Sequence, residues 1–169
     1  RGVYVTDGAV GPGIARAITE IGQAGRIVLI AHDLVGETLH YLREGAIYAT
    51  LSQNLFAQGH DSVIHLFNHL VTGWYPTEPR LLTQLHLVTR RDAECLCEEE
   101  RVTTVGMGYG ARLAEPMRRA DRPLRIAVQN RNVSAVDRLL QMGAAAAAAK
   151  LRPYGAHVDF LLGGTVRVE

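Results

Sequence analysis

Three polar residues in the first third of the chain stand where short β-prone runs end. Asp7 follows Gly2-Val-Tyr-Val-Thr6, Asp33 follows Arg26-Ile-Val-Leu-Ile-Ala31, and Gln53 follows Ala46-Ile-Tyr-Ala-Thr-Leu51. Two carboxylates and an amide, each presented from a strand end into a shared crevice, suit a small polyol or sugar, whose buried hydroxyls need fixed partners. The carboxylates accept, and the amide both accepts and donates, at small conformational cost. No nucleophile with its base stands among them. The same spacing fits a plainer use, in which Asp7 and Asp33 cap the helices that follow and Gln53 only precedes one. The residues alone leave both uses open.

Elements of two kinds alternate around these positions. Val10 to Gly25 has apolar residues at helical spacing (Ile14, Ala17, Ile18, Ile21), and Leu34 to Arg43 reads as a second helix closed by Gly45. Asn54 is placed to cap a long helix to about Leu70, with Leu55, Ala57, Val63, Ile64, Phe67 and Leu70 on or near its buried stripe and Gly73 beyond its end. Trp74-Tyr-Pro76 and Pro79 break the chain, and Leu81 to Thr89 is a fourth strand candidate. Leu124 to Val128 and His157 to Leu162 read as strands around a helix from Ser134 to Leu151, whose Ala144 to Ala149 run reads as a tightly packed face. Repeated strand and helix units imply an α/β fold with parallel sheets flanked by helices on both faces, and functional residues at the carboxyl ends of the strands.

As an ordered set, Val3-Tyr-Val-Thr-Asp-Gly8, Arg26 to Asp33, Leu42 to Gln53, the Gln58-Gly59 helix opening and Leu70-Val-Thr-Gly-Trp-Tyr-Pro76 carry a resemblance to known proteins. Val3 to Thr89 resembles the second half of the ligand-binding region of type I periplasmic-binding-protein folds, as in ribose-binding proteins and the effector domains of the lac repressor family. The resemblance implies that Thr6 or Asp7, Asp33 and Gln53 bind the small-molecule ligand. Ala31-His-Asp-Leu34, with Thr38 to Arg43, is more similar to effector domains of bacterial transcription regulators than to transport receptors. His32 stands where many relatives carry an aromatic; stacking on a ligand, hydrogen bonding to it and facing away from it are all open.

A second stretch, Arg122 to Val128, the helix with Gly143 to Ala149, and His157-Val-Asp-Phe160, resembles the opening strand, helix and strand of the first lobe of that fold. In the family this stretch precedes the other; here it follows. The implied division is a second-lobe part at 1–90, a linker or irregular segment at 91–122 and a first-lobe-like part at 123–169. Ser134-Ala-Val-Asp137 lacks the aromatics that stack on a sugar ring in ribose-type relatives, so Asp137 or Asn132 either supplies a polar contact there or is a solvated helix-start residue.

Composition narrows the classes further. The 169 residues are 47% hydrophobic, enough for a real core, and 18 basic against 17 acidic residues give a net charge of +1. That balance provides no bulk field for a dedicated nucleic-acid or membrane-surface binder. The longest apolar stretch is shorter than the roughly 20 residues of a membrane span, and Arg1 opens on a strand-like run instead of a leader. Cys95 and Cys97, one residue apart, suit neither a mutual bridge nor a four-ligand zinc site and favour a reducing compartment. His65 and His69 are four apart on one helix turn, with His60 a turn earlier, but no acidic residue sits between them in the metalloprotease pattern, and Gly106 to Gly110 lacks the spacing and Lys of a phosphate loop. Arg112, Arg118, Arg119, Arg122, Arg125 and Arg131 form a basic stretch without a helix-turn-helix pattern.

The expectation is therefore a non-enzymatic sensing domain for a small polar ligand, sugar or polyol, in a cytoplasmic bacterial transcription regulator of the lac repressor type. It would be a homodimer with no cofactor, no metal and no membrane contact, touching DNA only through a segment outside this chain. The alternatives are a periplasmic sugar receptor of an ABC transporter, and an α/β enzyme using His32 and Asp33 as an acid/base pair.

Overall fold

A computed structural model describes residues 1–78, 80–83, 85–95, 113–130 and 134–162. The expectations attached to Cys97, Gly106 to Gly110, Arg112, Arg131 and Asn132 concern residues outside these. The chain is α/β, and its described residues fall into two compact units: 1–55 with 83–95, and 56–82 with 113–162. This division cuts across the expected boundaries at 90 and 122. Most of the long third helix packs with the carboxyl-terminal part, and the supposed linker opens with a helix and ends inside the second unit.

In the first unit, β1 (Gly2–Tyr4), β2 (Val28–His32) and β3 (Ala49–Ser52) are parallel neighbours in that order, joined by α1 (Gly11–Glu20) and α2 (Gly36–Glu44). Right-handed crossovers advancing in one direction place successive helices on the same face. Accordingly α1, α2 and the short α4 (Arg90–Cys95) pack side by side, over a core that includes Leu29, Ala31, Leu42, Ile47 and Val88. Within this unit α1, α2 and α4 thus share one face of the sheet. Strand residues of the opposite parity, Tyr4, Val28 and Leu87, are exposed. Gly45 ends α2 in the left-handed conformation (φ 77°), donating its N–H to the Leu42 carbonyl, and Arg43 Nε donates to the Ala93 carbonyl, tying α4 to α2.

The fourth strand is shorter than expected and antiparallel: β4 (His86–Thr89) pairs with β3, Ser52 opposite His86 and Ala49 opposite Thr89. Direction follows from where the chain re-enters. It leaves the sheet after Ser52, and on its return the Thr83 hydroxyl donates to the Gln53 carbonyl at 2.8 Å. A chain that comes back at the end it left must run the other way to extend the sheet.

The second unit contains α3 (Leu55–Thr72) from Phe56 onward, β5 (Leu124–Asn130), α5 (Ala135–Leu151), a 3-10 turn (Arg152–Tyr154) and β6 (Ala156–Leu162), with β5 and β6 parallel. Its core joins Ile64 and Phe67 of α3 to Ala144, Ala147 and Leu151 of α5 and to Ile126 and Val158 of the strands. The alanine run is the packed face its composition suggested. Leu70, placed on the α3 stripe by sequence, is exposed; the stripe drifts to Val71, which packs on the core instead. On the strand face opposite Ile126 and Val158, Arg125 and Asp159 form an ion pair at 2.9 Å. Residues 114–118 are strapped along α3: the Asn68 amide donates to the Glu115 carbonyl and accepts from the Met117 N–H, both at 2.9 Å, and Asp61 accepts from the Ala114 N–H.

Two glycines set how closely α3 and α5 approach. A Cβ on Gly59 would overlap the Leu140 carbonyl oxygen and lie 2.8 Å from its carbon, and one on Gly143 would overlap the Phe56 carbonyl oxygen and lie 2.9 Å from the His60 nitrogen. Among the described residues no helix is long and apolar enough to cross a membrane.

Candidate ligand site

The carboxyl ends of β1, β2 and β3 bring Asp33 and Gln53 into direct contact, with Asp7 close enough to act on the Asp33 charge. Asp33 takes a left-handed backbone conformation (φ 61°), a turn that Asp tolerates better than bulkier residues. Its N–H still donates to the Leu51 carbonyl at 2.8 Å, and the buried Thr50 hydroxyl donates to its carbonyl at 2.8 Å. Its side chain does not cap α2, whose N-cap is Val35 without a side-chain hydrogen bond. Instead the Gln53 amide donates to Asp33 Oδ1 at 2.9 Å.

The other carboxylate oxygen lies against Gly8. A Cβ there would stand 2.6 Å from Asp33 Oδ2 and 2.8 Å from the Asp33 Cβ, so any side chain would displace the carboxyl group. Asp33 is only 4% exposed. Burial pushes its carboxyl above the usual carboxylate range, against the opposing pull of the Gln53 hydrogen bond and of His32, while the Asp7 charge adds to the rise. A desolvated carboxyl beside a second carboxylate is a strong acceptor for a hydroxyl donor when ionised.

Thr6 and Asp7 are exposed at the end of β1. Asp7 Oδ1 accepts from the Ala9 N–H at 2.9 Å, closing a tight turn ahead of α1, whose N-cap is Val10. Asp7 thus shapes the turn without capping the helix itself. His32 is directed to its neighbour on β1: Nε2 and the Tyr4 hydroxyl are 2.6 Å apart, the rings edge to face. It lies on the sheet side opposite Leu29 and Ala31, and its Nδ1 is buried without a hydrogen-bond partner.

Asp137 belongs to the second unit. Its Oδ2 accepts from the Ser134 N–H and hydroxyl at 3.0 and 2.9 Å, while the Ser134 hydroxyl accepts from the Asp137 N–H, a complete capping box on α5. That is a structural task the sequence did not suggest for it. The α3 histidines are likewise engaged in packing: His60 Nδ1 is 2.8 Å from Asp61 Oδ1, His65 stacks on Trp74 and His69 Nδ1 meets the Trp74 carbonyl. Among the described residues no group of three or more His, Cys, Asp or Glu is arranged to hold a metal.

Four further residues shape the site: Tyr4, Gly8, Thr50 and Thr83. Gly8 follows Asp7 directly and was open to recognition. Thr83 stands thirty positions after Gln53, and no local pattern connects the two. No protein-family model matches the chain, and comparison with curated protein sequences finds no match.

Proposed function

We propose that the chain is the ligand-sensing part of a bacterial transcription regulator of the lac repressor type, binding a small sugar or polyol without turning it over. The observation that carries this is the Asp33–Gln53 pair, at 2.9 Å, at the carboxyl ends of parallel strands beside the exposed Asp7 and Thr6. A ligand hydroxyl donates to the Asp33 carboxylate, the Gln53 amide turns from Asp33 to a ligand oxygen, and Asp7 receives a second hydroxyl from the solvent side. Binding replaces one internal hydrogen bond by several to the ligand, so the desolvated groups stay satisfied throughout. That Nε2 of His32 engages Tyr4 and that Asp33 engages Gln53 supports binding over acid/base chemistry.

In the same proposal the regulator is a cytoplasmic homodimer that contacts DNA through segments outside this chain. The ligand acts by binding one conformation more tightly than another, and that difference in affinity is all it has with which to shift the DNA-binding state. A thermal-shift screen of pentoses, hexoses and inositols on the full chain tests the site. A genuine ligand at a hundredfold excess over Kd stabilises by about 2.7 kcal/mol, and Asp33→Ala and Gln53→Ala each remove most of that response. If every hit survives the double replacement, the site is elsewhere.

A further inference from the structure

We propose that Thr83 is a positioning residue of this site, its hydroxyl holding the Gln53 peptide so that the Gln53 amide stays on the Asp33 carboxylate. The inference rests on the reading of Asp33 and Gln53 as the ligand site and extends it to a residue on the returning segment. Gln53 lies just past β3, whose paired residues end at Ser52, and is followed by Asn54 in the left-handed conformation (φ 55°) and buried. A long side chain on such a turn aims its amide only if the peptide that carries it is fixed. The carbonyl of that peptide accepts from Thr83 Oγ1 at 2.8 Å. The arrangement repeats at the other half of the pair, where the Asp33 carbonyl accepts from Thr50 Oγ1, also at 2.8 Å. Each member of the pair is therefore held by a threonine hydroxyl on its own main-chain oxygen.

The consequence is legible without a ligand, because the Gln53 hydrogen bond opposes the burial that raises the Asp33 carboxyl. Carboxyl-carbon NMR titration of the full chain, labelled at Asp, is compared for the natural sequence, Thr83→Val, Thr83→Ser and Gln53→Leu. Asp92, held below the usual carboxylate range by the Thr89 hydroxyl and N–H, reports in each variant that the first unit is folded. Thr83→Val should move the Asp33 midpoint upward by most of the shift that Gln53→Leu produces, Thr83→Ser should restore it, and Asp92 should stay low throughout. Where Thr83→Val unfolds the unit and Asp92 loses its depression, Thr83→Ala against Thr83→Ser makes the same comparison. An Asp33 midpoint unmoved by Thr83→Val in a folded chain overturns the proposal while leaving the site intact. A midpoint unmoved by Gln53→Leu overturns it at its premise and takes the Asp33–Gln53 reading with it.

Discussion

Replacing Gly59 or Gly143 by Ala should destabilise the second unit, although an added methyl on a helix ordinarily does the reverse. Gly to Ala at a compatible helical position gains about 0.4–1 kcal/mol, largely by restricting the unfolded chain. At these two positions the new Cβ meets main-chain atoms of the facing helix, with Leu140 C at 2.8 Å for Gly59 and His60 N at 2.9 Å for Gly143. Optimal carbon contacts lie at about 3.5–4.0 Å, so α3 and α5 must separate by roughly 1 Å, and a backbone cannot swing aside as a side chain can. Such overpacking costs about 1–3 kcal/mol, occasionally more. A gap of that size also forfeits about a quarter to a half of each dispersion contact across the interface, which includes Ile64, Phe67, Ala144 and Ala147. After the propensity gain, the net loss is about 1–2 kcal/mol, and a unit of this size melts lower by about 4–8 °C per kcal/mol.

The control is Gly13→Ala on α1, where a Cβ meets nothing within 4 Å and stability should rise slightly. The assay is amide hydrogen exchange resolved to α3, α5 and α1 alongside thermal denaturation, because two compact units need not melt as one. One separation relieves both clashes, so the double Gly59→Ala/Gly143→Ala chain should lose less than the sum of the singles. Unchanged protection of α3 and α5 in the single variants, with melting at or above that of the natural chain, would refute the close helix crossing.

Asp33→Asn should abolish the ligand response while leaving the free protein as stable at neutral pH, or more so. The Asp33 carboxyl is raised in the folded state, so the folded chain holds the extra proton and stability from this group falls as pH rises through the interval between the unfolded and folded values. Melting curves across pH check the sign: the advantage of Asp33→Asn should appear above that interval and vanish below it, and an Asn variant clearly less stable at neutral pH would contradict it. Ser134→Ala should cost about 1 kcal/mol by opening the α5 capping box, and Asp137→Ala, removing the same box, should add little to it in the double variant, as measured by exchange in the first turn of α5. Normal ligand binding by Asp137→Ala would agree with the structural task of that carboxylate.

Much of the local structure was legible because its causes are local. Gly45 and Gly73, both left-handed in the structure, supply a backbone conformation most residues resist, and they end α2 and α3 near the expected places. Ser134 caps α5 because its short hydroxyl reaches the next turn. The alternation of apolar runs with helical stripes fixed the α/β class, and placing Asp7, Asp33 and Gln53 after strands brought them to one end of one sheet. The sequence therefore places Asp33 and Gln53 at one crevice, although it leaves the capping use of Asp33 equally open; the hydrogen bond between the two side chains is what the structure adds.

Other features were decided at a distance. Residues 81–89 read as a strand, but the direction of β4 depends on the chain returning beside Gln53. The stripe on α3 announced a buried helix without naming α5 as its partner or Gly59 and Gly143 as the residues that let them meet. The partner of His32, the Tyr4 hydroxyl 2.6 Å away on the neighbouring strand, is named by no local pattern. By itself the sequence determined where most of the strands and helices lie and which glycines end α2 and α3, since those follow from torsion preferences and side-chain period; the short α4 and the start of β4 it left unmarked. Only the tertiary structure decided what each polar side chain holds, because a hydrogen bond such as Thr83 to Gln53 joins residues whose proximity is set by packing and leaves no periodic trace along the chain.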